Sequence, residues 1–286
     1  SQMRVFRMLW QLEEESKTDI PILCFFRQVA NFLRSQDVCF CQSGTHRRNP
    51  SIAWRRLDQN RRLQRTGAGM RKSPLALDLP LFEQNLQKIR DRVAELSPTQ
   101  GDSPQILPVT KYLSPQDTHR LLDAGYAPVG ENRAAELEQK SEPGQDPASW
   151  HFIGRLQRNK IRRVIPRISL FHALDSEKLA ATLDAWVDDH LKSPLSVLVQ
   201  INIAAEDQKA GLDVIDAEAT VISWMERFPS LRFEGLMTMA PNWPAEQCRP
   251  VFGKLRQLRS SIQNHLSTED SQRFRHLSMG MSGDWE

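Results

Sequence analysis

A lysine stands where a short apolar segment of this chain ends and a helix signal begins. Lys111 follows residues 106–110, Ile-Leu-Pro-Val-Thr, and precedes the helix start Ser114-Pro115. An α/β barrel carries its reactive groups at the C-terminal ends of its strands. A partly desolvated amine at such a place can lose its proton and attack an aldehyde. Taken alone, Lys111 is more simply interpreted as one solvated cation among 38 Lys and Arg residues. The residues at the other strand ends decide whether it is a reactive lysine.

Polar and glycine-containing segments follow the other apolar segments. They are Gly130-Glu131-Asn132, the His151 segment Trp-His-Phe-Ile-Gly, Asn202, Gly-Leu-Met at residues 235–237, and Ser278-Met279-Gly280-Met281-Ser282. The last segment offers hydroxyls and backbone N–H groups, and its glycine lets the backbone approach a phosphate closely. A lysine facing a phosphate cup describes a site for pyridoxal 5′-phosphate (PLP). Each motif taken singly is weak, and Ser278-Met279-Gly280 alone is more often a turn.

The hydrophobic pattern predicts seven strands that alternate with helices. The strands fall at residues 106–110, 127–130, 150–154, 169–173, 196–203, 231–239 and 275–279. Strict alternation implies a parallel sheet with right-handed crossovers. Seven strands fit either an open doubly wound sheet or a (β/α)₈ barrel of the TIM type that lacks its eighth strand. In both architectures the ligand site lies at the C-terminal ends of the strands.

Local signals place several helix ends. Leu79, Phe82 and Leu86 recur at helical spacing within residues 79–96. Ser114 is the predicted N-cap of a helix over residues 115–124, which Gly125 ends.

Charge divides the chain into two parts. Residues 1–69 hold 12 Lys and Arg against 6 Asp and Glu, whereas residues 70–286 hold 26 against 29. The mildly acidic main part shows no nucleic-acid footprint, and no apolar run reaches the roughly 18–20 residues of a membrane span. Cys39 and Cys41 have no second pair and no spaced histidines, so no metal site is predicted.

Residues 1–69 are predicted to be a basic extension outside the fold, and residues 70–286 to form the α/β barrel. Periodicity is weak before residue 70, and arginine pairs recur there. A small basic interaction arm is the alternative for this segment. The short apolar stretch at residues 20–26 contains Pro21 and follows three glutamates, which argues against a secretory signal.

The ordered motifs resemble the YggS/PROSC family of PLP-homeostasis proteins, whose fold is related to the N-terminal barrel of alanine racemase. Those motifs are Val-Thr-Lys, Gly-Glu-Asn, Trp-His-Phe-Ile-Gly-x-Leu-Gln-x-Asn-Lys, Gln-Ile-Asn-Ile with Lys-x-Gly, Gly-Leu-Met and Leu-Ser-Met-Gly-Met-Ser. The resemblance covers roughly residues 75–286, and residues 1–69 have no counterpart in it.

The resemblance implies a PLP site. Lys111 matches the Schiff-base lysine, and Lys209 matches a second lysine near the barrel mouth. The other cofactor-binding residues that it implies are Asn132, His151, Met237, Ser278, Gly280 and Ser282. From the residues alone, strand alternation points either His151 and Ile153 or Trp150 and Phe152 inward, and Met237 is equally a core residue.

One departure concerns the phosphate end. The family continues past Ser-Met-Gly-Met-Ser with a helix and an eighth strand, whose Arg-x-Gly-Thr segment completes the phosphate cup. Here Asp284-Trp285-Glu286 follow instead. We therefore expect a C-terminally truncated barrel with two open sheet edges and half of the phosphate site.

The function that the resemblance implies is intracellular PLP homeostasis, with PLP held on Lys111 and no reaction of its own. We expect a cytoplasmic monomer whose partners are PLP and PLP-dependent apo-enzymes, not nucleic acid or membrane. One alternative is an amino-acid racemase, although Tyr112 and Tyr126 both lie early in the chain and no second domain supplies a catalytic tyrosine. A Schiff-base barrel enzyme acting on a phosphorylated substrate is the other alternative.

Overall fold

The computed structural model describes residues 21–25, 76–96, 104–142, 145–205, 210–241 and 243–281. Two residues of the predicted site, Lys209 and Ser282, lie outside these ranges.

Strands and helices alternate through the described residues, as the sequence predicts. The strands are β1 (Pro21–Phe25), β2 (Gln105–Pro108), β3 (Val129–Glu131), β4 (Trp150–Phe152), β5 (Leu170–Leu174), β6 (Leu195–Asn202), β7 (Leu212–Asp213), β8 (Leu231–Met237) and β9 (His276–Met279). The helices are α1 (Leu79–Leu96), α2 (Pro115–Asp123), α3 (Ala134–Lys140), α4 (Ile161–Val164), α5 (Glu177–His190), α6 (Ala217–Arg227), α7 (Ala245–Gln263) and α8 (Thr268–Arg273). Short 3₁₀ turns cover Pro147–Ser149, Arg158–Lys160 and Ile165–Arg167.

The strands pair in parallel around a ring. Their order is β2-β1-β9-β8-β6-β5-β4-β3, and β7 pairs with β6 beside this path. A parallel bridge between Val109 and Gly130 joins the two ends of the order, and the Thr110 N–H donates to the Gly130 carbonyl at 3.1 Å. The sheet therefore closes, and the predicted parallel α/β barrel is confirmed. The expected pair of open sheet edges is wrong for the described residues, because β1 occupies the place between β9 and β2.

The barrel position between β9 and β2 is held by β1. Leu23 pairs with Ile106 of β2 on one side and with Met279 of β9 on the other. This pairing differs from the prediction that residues 1–69 lie outside the fold, because five of those residues are part of the sheet. The division of the chain at residue 69 otherwise stays a prediction, since residues 26–75 are not among those described. β9 is the last strand of the described residues.

Helix ends follow the local signals. The Ser114 hydroxyl oxygen accepts from the Asp117 N–H at 3.0 Å, which confirms Ser114 as the N-cap of α2. Gly125 follows this helix with φ +87°, in the left-handed region that glycine favours.

The described residues form two apolar clusters. The larger one lies between strands and helices and includes Trp150, Phe152 and Leu277. The smaller one lies inside the ring and consists of Leu107, Ile153, Leu170, Leu198 and Met237, with Val109 and Met281 packed against it. Successive residues of a strand point to opposite faces, so His151 of β4 and Ile153, which directly follows this strand, point inward. Among the described residues, no helix combines the length and the apolar character that a bilayer crossing requires.

Candidate functional site

A cavity of about 380 Å³ lies at the C-terminal ends of β2, β3, β4 and β6. This is the end of a parallel barrel where ligands bind. Its lining residues are Lys111, Asn132, Ile153, Gly154, Arg155, Gln200, Ile201, Asn202, Ala210 and Met239. The structure therefore brings together Lys111 and Asn132, two of the predicted cofactor-binding residues, at one cavity.

Lys111 is half-buried and begins the turn that follows β2. Its Nζ lies 5.1 Å from the centroid of the Tyr112 ring. A cation over an aromatic face is attracted by the ring quadrupole. The Tyr112 ring, itself 38% exposed, therefore helps to hold the amine at the rim of the cavity.

A buried ion pair fixes the backbone on both sides of this lysine and of Asn132. Lys140 Nζ donates to Glu131 Oε1 at 2.6 Å and to the Thr110 carbonyl at 2.7 Å. The Thr110 hydroxyl donates to the same Glu131 oxygen at 2.6 Å. The Glu131 side chain is 0% exposed and that of Lys140 is 3% exposed. Thr110 precedes Lys111 and Glu131 precedes Asn132, so the pair holds both strand ends in register.

The burial of Glu131 changes its acidity. Removal from water raises the pKa of the Glu131 carboxyl, and the Lys140 ammonium and the Thr110 hydroxyl oppose that increase. Among the described residues, Glu131 Oε2 has no hydrogen-bond partner. The Lys140 ammonium is therefore the main group that offsets the cost of burying the Glu131 carboxylate.

Asn132 carries a polar atom that the described protein does not satisfy. Its Oδ1 is buried and has no hydrogen-bond partner among the described residues. A buried amide without a partner is unfavourable, so this atom is suited to a ligand in the cavity. Gly154 packs directly against the Asn132 backbone, because a Cβ at position 154 would lie 2.1 Å from the Asn132 backbone carbonyl oxygen.

The remaining predicted residues lie inside the barrel or after β9. Met237 is buried in the inner apolar cluster, and the structure places it outside the cavity lining. His151 and Ser278 are buried in the barrel interior. Gly280 follows β9 with φ +84°, a conformation that favours glycine. The roles of these residues toward a cofactor stay predictions.

A hydrogen-bonded chain of two imidazoles and a hydroxyl crosses the barrel interior. His172 Nδ1 lies 2.8 Å from Ser278 Oγ, and His172 Nε2 lies 3.1 Å from His151 Nδ1. Burial, and then the charge of His276, lower the pKa of His151 to about 4. Burial, His151 and His276 lower the pKa of His172 in the same direction. Both imidazoles are therefore neutral at pH 7.

Sequence reasoning missed three of these polar groups. Lys140 lies nine residues beyond Glu131, outside any helical spacing. His172 lies within a wholly buried strand, and Gln200, which donates to the Ala210 carbonyl at 2.9 Å, interrupts the apolar strand β6. A polar residue inside an apolar strand was the available signal for the last two. Arg155 lines the cavity and pairs with Asp175 at 3.3 Å, with its side chain 78% exposed.

The fold and the site together define a class: parallel α/β barrels with a lysine amine at the mouth of a strand-end cavity. A family model described as the N-terminal domain of alanine racemase matches residues 77–285. The chain belongs to this family and, within it, to the pyridoxal phosphate homeostasis proteins, as its relatives show.

Curated relatives from several bacteria carry that name. The pyridoxal phosphate homeostasis protein of Escherichia coli K12 is 34% identical over 214 residues, which cover 71% of this chain and 87% of the relative. The protein of the same name from Aquifex aeolicus is 30% identical over 210 residues, which cover 71% of this chain and 89% of the relative. These matches confirm the family resemblance that the motifs indicate.

A solved structure extends the likeness to the fold. PipY of Synechococcus elongatus PCC7942, solved with PLP bound, is 29% identical and superimposes with a TM-score of 0.55. The match covers 69% of this chain and 91% of PipY. The relation to the alanine racemase N-terminal barrel is thus confirmed by the family model, and the likeness to PipY confirms the fold.

Proposed function

We propose that this protein binds PLP through Lys111 and takes part in maintaining the intracellular supply of PLP. The observation that carries the proposal is the cavity at the strand ends, where the Lys111 amine and the unsatisfied amide oxygen of Asn132 meet. Ligand cavities of small cofactors typically span about 300–1,000 Å³, and this one has about 380 Å³.

The residues present fit the chemistry of the cofactor. PLP supplies an aldehyde, with which a neutral amine condenses to a Schiff base with release of one water. In this proposal Lys111 is that amine, and the Asn132 amide is a hydrogen-bond partner for the bound ring. Ser278 near the end of β9 and Gly280 directly after it take the phosphate end in this proposal. The Arg155 guanidinium at the rim attracts the anion.

The lining supports a carrier or regulator over a racemase. Racemisation needs a second proton-transferring group opposite the lysine. The polar side chains of the described lining are Lys111, the amides of Asn132, Gln200 and Asn202, and the Arg155 guanidinium. Amides and guanidinium do not titrate near neutral pH. We therefore propose a cytoplasmic protein without a reaction of its own, which holds PLP and passes it to apo-enzymes.

The test of binding is spectroscopic. The purified protein mixed with PLP is expected to develop a visible absorption band that Lys111→Ala abolishes. Lys178→Ala is the matched control, because Lys178 is an exposed lysine of α5 away from the cavity. Borohydride reduction followed by peptide mass spectrometry identifies the modified lysine. A protein that stays colourless, or a band that survives Lys111→Ala, contradicts the proposal.

Two further assays separate the alternatives. Racemisation of alanine by the PLP-loaded protein would favour the racemase. Reactivation of a PLP-dependent apo-enzyme, faster with the loaded protein than with an equal concentration of free PLP, is the result expected of a carrier.

A further inference from the structure

The interior of the barrel contains a polar chain that apolar packing does not require. His172 is fully buried at its centre, on β5. It bonds with Ser278 of β9 at 2.8 Å and with His151 of β4 at 3.1 Å. The chain thus links three strands, and its two ends lie 127 residues apart in the sequence.

Charged and titratable neighbours face this chain from two more positions. His276 lies two residues before Ser278 on β9 and therefore on the same face of that strand. Its charge lowers the pKa of His151 and of His172. Its Nε2 lies 3.7 Å from Glu234 Oε2 of β8, and the Ser196 hydroxyl of β6 donates to Glu234 Oε1 at 2.7 Å. His276 and Glu234 therefore form a polar group beside the chain, and His276 acts on both imidazoles through its charge.

Neutral imidazoles allow this chain only two proton arrangements. Each ring has one N–H donor and one acceptor nitrogen. In the first arrangement, the Ser278 hydroxyl donates to His172 Nδ1, and His172 Nε2–H donates to His151 Nδ1. In the second, His151 Nδ1–H donates to His172 Nε2, and His172 Nδ1–H donates to Ser278 Oγ. A mixed arrangement would place two protons, or none, between the rings, so both histidines change tautomer together.

The two ends of the chain lie at different places in the barrel. Ser278 belongs to the segment that leads to Gly280, where the proposed function places a phosphate. His151 lines a second cavity of about 290 Å³ beside α1, whose other lining residues include Leu107, Tyr126 and Pro128. The chain therefore connects the strand ends of the proposed site with a cavity elsewhere on the barrel.

We infer that His172 is a positioning residue which sets the direction of the Ser278 hydroxyl, and that a bound phosphate group selects the second arrangement. In that arrangement His172 donates to Ser278 Oγ, and the Ser278 hydroxyl proton is directed to the anion. His151 changes tautomer in step. The inference rests on the proposed function, because it names the phosphate of PLP as the anion at this segment.

The direct test reads tautomers rather than PLP-dependent function. Long-range ¹H–¹⁵N correlation spectra of histidine-labelled apo protein report which ring nitrogen of His151 and His172 carries the proton. Addition of inorganic phosphate, and of PLP, is expected to move both rings from the Nε2–H to the Nδ1–H form. Ser278→Ala is expected to abolish that response. Rings that stay unchanged, or that change independently, overturn the inference.

An affinity comparison provides the second test. PLP and pyridoxal share the ring and the aldehyde, but pyridoxal lacks the phosphate. His172→Phe is expected to weaken PLP binding by about tenfold, because the Ser278 hydroxyl that donates to the charged phosphate is no longer held in direction, and to leave pyridoxal binding unchanged. His172→Asn, whose amide nitrogen can replace Nδ1 toward Ser278, is expected to recover part of that loss. Equal losses for both ligands indicate a merely structural role.

The two proposals fail in different ways. A visible band on Lys111 without any tautomer change rejects the role of His172 and leaves PLP binding intact. If no band forms and neither PLP nor phosphate changes the tautomers, both proposals are rejected. Thermal melts of His172→Phe and Ser278→Ala show whether the variants are folded before either result is interpreted.

Discussion

Replacement of Lys140 by methionine tests whether the buried ion pair locks the two strand ends. Lys140→Met keeps a long side chain of similar volume but leaves the Glu131 carboxylate, which is 0% exposed, without its cation. Breaking a buried pair by removing one partner destabilises proteins by about 3–5 kcal/mol. The whole stability of a domain is only about 5–15 kcal/mol. We therefore expect Lys140→Met to lose a large share of the free energy of unfolding.

The matched control is a double variant that removes the negative charge of Glu131 together with the positive charge of Lys140. Glu131→Leu/Lys140→Met leaves no unpaired ion, and replacing both members of a buried pair by apolar residues is often close to neutral. The Thr110 carbonyl loses a donor, which costs about 1–3 kcal/mol, whereas the Thr110 hydroxyl can still reach the Gly130 carbonyl at 3.5 Å. The double variant is therefore expected to be clearly more stable than Lys140→Met, although it carries one more substitution.

The pH dependence of the single variant has a definite sign. Burial already raises the pKa of Glu131, with Lys140 opposing the increase. Without Lys140, the folded state binds a proton at a pH where the unfolded carboxyl, with its ordinary pKa of 4.5, does not. Stability falls with rising pH wherever the folded state binds more protons. The difference in free energy of unfolding between the wild type and Lys140→Met is therefore expected to become smaller as the pH falls from 8 toward 4.5.

Urea denaturation followed by circular dichroism at several pH values measures these differences. A loss below about 1 kcal/mol for Lys140→Met, the range of an exposed ion pair, would refute the reasoning. So would a double variant as unstable as the single one, because the penalty would then not come from an unpaired charge. If Lys140→Met does not fold at pH 8, its recovery at lower pH tests the same point.

Three further predictions follow from the structure. Gly154→Ala is expected to lower both stability and PLP affinity, since its Cβ would lie 2.1 Å from the Asn132 backbone carbonyl oxygen. The control is Gly253→Ala in α7, whose Cβ meets nothing within 4 Å and which should stabilise the protein by about 0.5–1 kcal/mol. Equal melting temperatures of the two variants would contradict this prediction. Deletion of residues 1–69 removes β1 from between β9 and β2 and is expected to lower the melting temperature by more than about 4 °C. Leu23→Pro removes one backbone N–H from the same strand and is expected to lower the melting temperature by a smaller amount. An unchanged melt for both would place β1 outside the folded unit. Arg155→Ala, with its side chain largely exposed, is expected to slow PLP association at low salt and to leave the melting temperature unchanged; a salt-independent rate would count against a role for Arg155 in attracting the anion.

The regular part of the fold was predictable from local signals. Ser114 and Gly125 bound α2 as predicted, because an N-cap hydroxyl and a glycine with positive φ act within a few residues of the chain. The seven predicted strands are all present, because buried parallel strands are apolar runs that turn residues separate. The position of Lys111 at the cavity followed from its place after the first of these strands.

β1 could not be predicted in the same way. The apolar stretch at residues 20–26 is visible in the sequence, but nothing near it states which strands it joins. Its partners, Gln105–Pro108 and His276–Met279, lie about 80 and 255 residues further along the chain. The sequence shows that this stretch is apolar and about the length of a strand. It does not show which strands it pairs with, because those partners are distant in the chain.

The sequence by itself determined the alternation of strands and helices, the family, and the lysine at the first strand end. Each of these depends on residue types and spacings within a short stretch. Only the tertiary structure decided that Lys140 meets Glu131, that His172 joins His151 to Ser278, and that Asn132 keeps an unsatisfied oxygen at the cavity. Such pairings depend on distance in space and on exclusion of water, and both arise only when separate strands close into one barrel.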